Sequence, residues 1–524
     1  MQASAHVEAP NESPDAEPHM HNPSPASHAI AAGSGPLADV AQLMLPAIRW
    51  SDNGGFEGYR ESIELGLRLG VGGFIFFGGT SEAVASMTAE LRERSRIPLL
   101  IGADLERGAG QQFRGLTGLP PLAAIGSLRD SGDMRRAARL TAREARSVGV
   151  NWVYAPSCDL DVEPDNPIIG TRAISGDPQV AAELAAEWID ACQAEGVLAC
   201  AKHFPGHGRT TTDSHAELPV VDASRETLER EDLLPFRAAV DAGVASVMTA
   251  HVVYPALDAS GAAATLSQAI LGSLLRERMG FEGLVVTDAM IMQGMLEGQD
   301  EREAAVRALA AGCDLLLYPT DIEGVARAVV RAVESGRLAL ESLARSAARR
   351  RRWAEWAAEV GTASVTADER EWAAELCRRV VHPLRGSVPS LGAAPHVAIV
   401  DDDLGGPYPP PSRQPFLDEL KSAGVGPVVV DDVDATSQAT LVIALFGDIR
   451  SWKGRPGYSG ASRDRVQHLL HSARSSGRPA VVVQFSHPRL VSELGEVNPV
   501  LCAWGGEASM QRAAARWLLD GGAR

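Results

Sequence analysis

The chain has 524 residues, 45% of them hydrophobic and 22% charged, and a formal net charge of -18. That length accommodates two or three domains with sizeable cores. So acidic a balance argues against nonspecific binding to nucleic acid or to anionic membranes, and no apolar run approaches the length of a membrane-spanning helix. Residues 1–36 are rich in Pro, Ser, Ala and His, acidic, and without the apolar core of a signal peptide. They read as a disordered tail, in which His6, His19, His21 and His28 are solvated side chains rather than a metal site. The six cysteines (Cys158, Cys192, Cys200, Cys313, Cys377, Cys502) are scattered without CxxC spacing. They read as buried thiols in a reducing compartment, with no metal and no cofactor implied, and the expected location is cytoplasmic.

From 37 to 337 short apolar stretches alternate with amphipathic ones. The strand candidates are 43–48, 72–77, 98–103, 150–155, 197–204, 246–251, 284–288 and 314–318, eight in all. Helices are expected between them, for example over 81–94, 133–147, 178–195, 225–242 and 302–311. Asp177 before Pro178 is a capping residue followed by proline at the first helical position, and Ser224 starts another helix. Gly149, Gly196, Gly243 and Gly312 each precede a strand, as helix C-caps do. Eight βα units in this span predict a (β/α)8 TIM-like barrel. A doubly wound sheet is the weaker alternative, because no GxGxxG follows the first strand.

Residues 338–388 are helical and rich in Arg, Ala and Glu, and read as a connector wrapping the barrel. The arginine run 349–352 is expected to be a solvated helix face rather than a nucleic-acid patch. Residues 389–524 return to α/β patterning with five apolar strands, which predicts a smaller α/β sandwich with a mainly parallel sheet. No catalytic constellation stands out there, and His487-Pro488 reads as turn chemistry.

A barrel concentrates its chemistry where strands end, and unusual polar residues fall at those points: Asp104, Lys202, His203, His251 and Asp288. The densest stretch, 202–215, reads KHFPGHGRTTTDSH. Asp213 and His215 stand two apart in a loop, where a carboxylate can fix the tautomer of an imidazole and make it a general acid/base near neutral pH. Taken alone, such a loop is more often a polar surface loop. Asp288 at a strand exit is either a cap for the following helix or a nucleophile, kept ionised by Lys202 or an arginine. Arg172 suits a polar ligand or an ion pair with Asp165. Asp104 can grip vicinal hydroxyls or cap locally, and His251 reads as a satisfied core or rim histidine.

The runs KHFPGHGRTTTDSH, NPIIGTRAIS, MTAHVVYPALD and VVTDAM, in this order on eight βα units, resemble glycoside hydrolase family 3, in particular its β-N-acetylhexosaminidase branch. The resemblance spans about 37–340. It implies a retaining double displacement, with Asp288 as nucleophile, His215 as acid/base on a mobile loop, and Asp213 forming a dyad with His215. Asp104, Arg172, Lys202 and His203 resemble the residues that hold the terminal sugar. The implied substrate is a small sugar or a muropeptide-like fragment, and the oligomeric state is not fixed. The family's Asp-x-Glu-Gly-Gly-Arg run departs here to Asp104-Leu-Glu-Arg-Gly-Ala-Gly110, with Ala109 in place of its arginine, so the choice among GlcNAc, GalNAc and glucose stays open. A β-glucosidase or β-xylosidase, a β-N-acetylglucosaminide phosphorylase, and a catalytically silent sugar-binding protein are the alternatives.

Overall fold

The structure, a computed structural model, describes residues 36–214, 217–292, 300–358, 364–404, 411–432, 434, 436–449 and 453–521. The expected tail, with His6, His19, His21 and His28, lies outside the described residues except for Pro36.

All eight expected strand stretches contain strands. The first is divided by Pro46, which has no N–H to give a ladder, into β1 (Met44–Leu45) and β2 (Ala47–Arg49). The others are β3 (Gly73–Phe77), β4 (Leu100–Ala103), β5 (Trp152–Val153), β6 (Cys200–Phe204), β7 (Ser246–Thr249), β8 (Leu284–Val286) and β9 (Leu316–Leu317). Every pairing is parallel: β2-β3-β4-β5, β6-β7-β8 and β9-β1. Single parallel bridges, Trp152 to Leu198 and Val286 to Leu315, join these arcs. The ring therefore closes as a (β/α)8 barrel. Large side chains fill it: Trp152 and Tyr154 pack at 4.9 Å between ring centroids, and a Cβ on Gly102 of β4 would stand 2.4 Å from the Tyr154 hydroxyl.

The local signals act as expected. A helix spans Ser81–Arg94, and another spans Pro178–Gln193, capped by Asp177, whose carboxylate accepts from the Gln179 and Val180 amides at 3.0 and 3.4 Å. Gly149, Gly196, Gly243 and Gly312 take φ of 80, 75, 70 and 118°, the left-handed C-cap conformation. The stretch 225–242 differs from its expectation: it is a short turn at Arg225–Thr227, a π-helical segment at Leu228–Asp232 and an α-helix at Leu234–Asp241. Pro235 is the physical reason, since it cannot donate to Glu231 and its ring crowds that carbonyl.

The helix Leu340–Ala358 closes the barrel's N-terminal end. Here the expected solvated arginine face is wrong. Arg350 is buried and donates to the Pro98 carbonyl at 2.7 Å, just before β4. Arg349 pairs at 3.0 Å with Asp314, which enters β9 and also accepts from Ser346 and Arg276. The strand-entry end of a barrel offers carbonyls and acids that a run of arginines can satisfy.

Among the described residues the C-terminal sheet has six strands, in the order β10-β15-β14-β13-β11-β12. They are β10 (His382–Arg385), β11 (His396–Asp401), β12 (Val428–Val429), β13 (Leu441–Phe446), β14 (Ala480–Phe485) and β15 (Val500–Cys502), and only β10 is antiparallel. β10 comes from the stretch read as connector. β13 shows why its sequence is apolar throughout. Val442, Ala444 and Phe446 face one core and Leu441, Ile443 and Leu445 the other, so both faces of the sheet are covered.

Candidate active site

Four strand exits at one end of the barrel carry the polar residues. Lys202 and His203 lie on β6 itself and are buried, while Asp104 follows β4. The Lys202 ammonium bonds Asp104 at 2.7 Å and also Glu106 at 2.7 Å. Glu106 shares a face with Asp104 by the two-residue period of extended chain. It is 4% exposed and binds Arg172 through two bonds, 2.8 and 3.0 Å. Burial alone pushes Glu106 up, but the charges of Arg172 and Lys202 outweigh it and hold the carboxyl well below the usual carboxylate range. In return, burial disfavours the Lys202 and Arg172 cations, and their carboxylate neighbours overcome it. Arg172 thus pairs with Glu106 and not with Asp165, because the 159–172 loop folds back over the exit of β4. Lys202, read as a cation beside Asp288, has Asp104 and Glu106 as its ion-pair partners.

His203 is oriented by Asp159, a fully buried acid in the loop after β5, through Nδ1 at 2.7 Å. Arg172 Nη2 lies 3.4 Å from His203 Nε2. An arginine only donates, so this contact assigns the ring proton to Nδ1, facing Asp159. Asp159 also accepts from the His203 amide at 3.2 Å, the His207 amide at 2.6 Å and the Ser157 hydroxyl at 3.1 Å. Burial pushes its carboxyl up, and His203 and His207 pull it below the ordinary range.

The loop after β6 is pinned over its first half. Asn166 donates to the His207 and Gly208 carbonyls at 3.0 and 3.2 Å and to Thr210 Oγ1 at 3.2 Å. A Cβ at Gly208 would stand 2.0 Å from the Leu160 carbonyl, so this glycine serves close approach rather than a hinge. His207 is buried with both ring nitrogens engaged, by Thr210 at 2.8 Å and Ser214 at 3.0 Å. Burial and the neighbouring His203 push its pKa down to about 4, so it latches the loop as a neutral ring. The loop is thus held both at Asn166's partners and, through His207, at Ser214. Asp213, 4% exposed, ends this loop, and His215 lies outside the described residues.

Asp288 is half-buried at the exit of β8, and its Oδ1 accepts from the Ala289 amide at 2.7 Å. The Asp288 carboxylate is among the charges that act on Cys200 and on His207. His251 is buried, bonded to Thr265 at 2.8 Å and to the Ala289 carbonyl at 3.3 Å, a satisfied rim histidine. Among the described residues no group of three or more His, Cys, Asp or Glu is placed to hold a metal ion.

Glu106 and Asp159 were not singled out by sequence reasoning. Glu106 stands just past β4, so the strand-exit rule that marks Asp104 marks it as well, whereas Asp159 lies six residues beyond β5 in the loop. The assembled mouth holds buried cations and acids, with a carboxylate, Asp288, at the exit of β8.

Residues 40–352, which carry the barrel and this mouth, match the family model described as the glycosyl hydrolase family 3 N terminal domain. The chain belongs to that family. It is 36% identical over 275 residues to a protein of Cellulomonas fimi named beta-N-acetylglucosaminidase/beta-glucosidase, covering 50% of this chain and 49% of that one, and so spans about half of that relative's length. It is 39% identical over 257 residues to a beta-hexosaminidase of Thiobacillus denitrificans, covering 47% of this chain and 71% of that one. Among solved structures, a family 3 beta-N-acetylglucosaminidase from Paenibacillus sp. str. FPU-7 superposes with a TM-score of 0.81 at 28% identity, over 94% of this chain and 97% of that one. A beta-glucoside phosphorylase shares the fold at 20% identity with a TM-score of 0.80, over 92% of this chain and 91% of that one.

Proposed function

We propose that this protein is a retaining exo-β-N-acetylhexosaminidase that releases terminal GlcNAc by double displacement. The observation that carries the reading is the gathering of Asp104, Glu106, Arg172, Lys202 and His203 at one mouth, with the charge of Asp288 acting on the same loop that carries Asp213. Asp288 attacks the anomeric carbon while His215, steadied by Asp213, protonates the glycosidic oxygen. The neutral imidazole then takes a proton from the water that opens the glycosyl ester, and two inversions give net retention. Asp104 accepts from sugar hydroxyls, and Arg172, Lys202 and His203 fix the ring. The name of the Paenibacillus relative supports GlcNAc as the sugar, and that of the Thiobacillus relative supports a hexosaminide. The reading extends to small glycosides and muropeptide-like fragments, processed in the cytoplasm during peptidoglycan recycling. All six cysteines are free and buried, as suits a reducing compartment.

Plain β-glucosides are a second reading, favoured by the name of the Cellulomonas relative, which joins both activities. The test is turnover of aryl β-glycosides of GlcNAc, GalNAc, glucose and xylose, with and without phosphate. Turnover confined to GlcNAc and independent of phosphate is expected. Dependence on phosphate indicates a phosphorylase, and no turnover of any of the four removes the proposal.

A further inference from the structure

Three strand exits of the C-terminal sheet touch the two barrel loops that carry Glu106 and Arg172. Arg107, next to Glu106, is 8% exposed. Its Nη1 pairs at 3.0 Å with Asp448, which follows β13, and also contacts Glu507, which follows β15. Its Nη2 donates at 3.1 Å to Thr171 Oγ1, next to Arg172. One planar guanidinium therefore ties the β4 loop to the Arg172 loop, and two carboxylates of the other sheet fix its orientation. A second tie lies beside it. Asp161 receives His487 Nε2 at 2.9 Å and also pairs with Arg489, both from the exit of β14. Gly170 closes the interface, since a Cβ there would stand 2.3 Å from Ile449.

We infer that Arg107, held by Asp448 and Glu507, is a positioning residue for sugar binding: it sets the guanidinium of Arg172 against Glu106 and so makes the C-terminal sheet part of the binding machinery. This rests on the proposed function, in which Arg172 grips the sugar. A contact made equally in the ground and transition states appears in KM and not in kcat, and losing one oriented charge-assisted bond lowers affinity by about tenfold.

The test uses Asp448→Asn and Thr171→Val, which release the guanidinium from opposite sides with little change of volume, in the full chain. The expected result is a KM for the aryl β-GlcNAc raised about tenfold with kcat within about twofold, and faster backbone hydrogen exchange over 168–172. Arg107→Lys, which keeps the charge but not the fork, is expected to raise KM less than Arg107→Gln, which keeps neither. A lowered melting temperature with unchanged KM and unchanged exchange over 168–172 overturns the inference and leaves the contact merely structural. If the unmutated protein turns over no glycoside, the functional reading fails, and the exchange measurement alone still decides whether Arg107 holds the Arg172 loop.

Discussion

Glu106→Gln is the sharpest perturbation of the site, because it removes a charge while keeping the shape. In the native protein that charge neutralises two cations at once, Lys202 at 2.7 Å and Arg172 at 2.8 Å, with the acid 4% exposed. Removing one partner of a buried pair costs about 3–5 kcal/mol. Lys202 keeps Asp104 and Arg172 keeps the Ile168 carbonyl, so the lower end applies, about 3 kcal/mol. For a barrel of roughly 300 residues, unfolding entropy near 2 cal/mol/K per residue converts this to a fall in melting temperature of about 5 °C. The pH dependence follows from the depressed carboxyl. Its folded value lies below the unfolded value of about 4.3, so its stabilisation is complete above that pH and is lost as pH falls further. Thermal melts of both proteins at pH 7 and near pH 4 should therefore show a full gap at the first and a smaller one at the second. A gap below about 1 °C at pH 7, or one that widens in acid, would refute the account of Glu106 as the charge between two cations.

Asp288→Asn should lower turnover of aryl β-GlcNAc by more than about a thousandfold while leaving the melt unchanged, since the amide oxygen still accepts from Ala289; unchanged turnover removes Asp288 from the mechanism. The His207 imidazole, pushed down to about 4, binds its proton later than the unfolded ring does, so it costs stability as pH falls from about 6.5 toward 4. His207→Gln should flatten the fall in melting temperature across that window, and an unaltered slope counts against a neutral latch. Gly208→Ala places a Cβ 2.0 Å from the Leu160 carbonyl. It should cost about 1–3 kcal/mol in a thermal melt and lower kcat/KM; a variant as stable and active as the parent shows that the loop does not need this close approach.

The barrel was legible because its signals are local. Asp177 before Pro178 starts a helix from the chemistry of two residues, and Gly149 and Gly196 end helices because only glycine takes positive φ without strain. The polar residues at strand exits were legible, as Asp104, Lys202, His203 and Asp288 show. Partner choice was not. Arg172 lies seven positions from Asp165 yet pairs with Glu106, 66 positions away. The run 349–352 has the composition of a solvated face, but carbonyls at the barrel floor draw Arg350 inward.

The sequence by itself determined the alternation of strand and helix, the family, and which side chains stand at strand ends, since these follow from periodicity, capping and the order of short runs. The tertiary structure decided which charges meet. Arg107 and Asp448 are 341 positions apart, and nothing in either neighbourhood encodes the other. A buried charge is stabilised only by the groups that closure of the fold brings within a few ångströms of it, and that distance is a property of the folded chain.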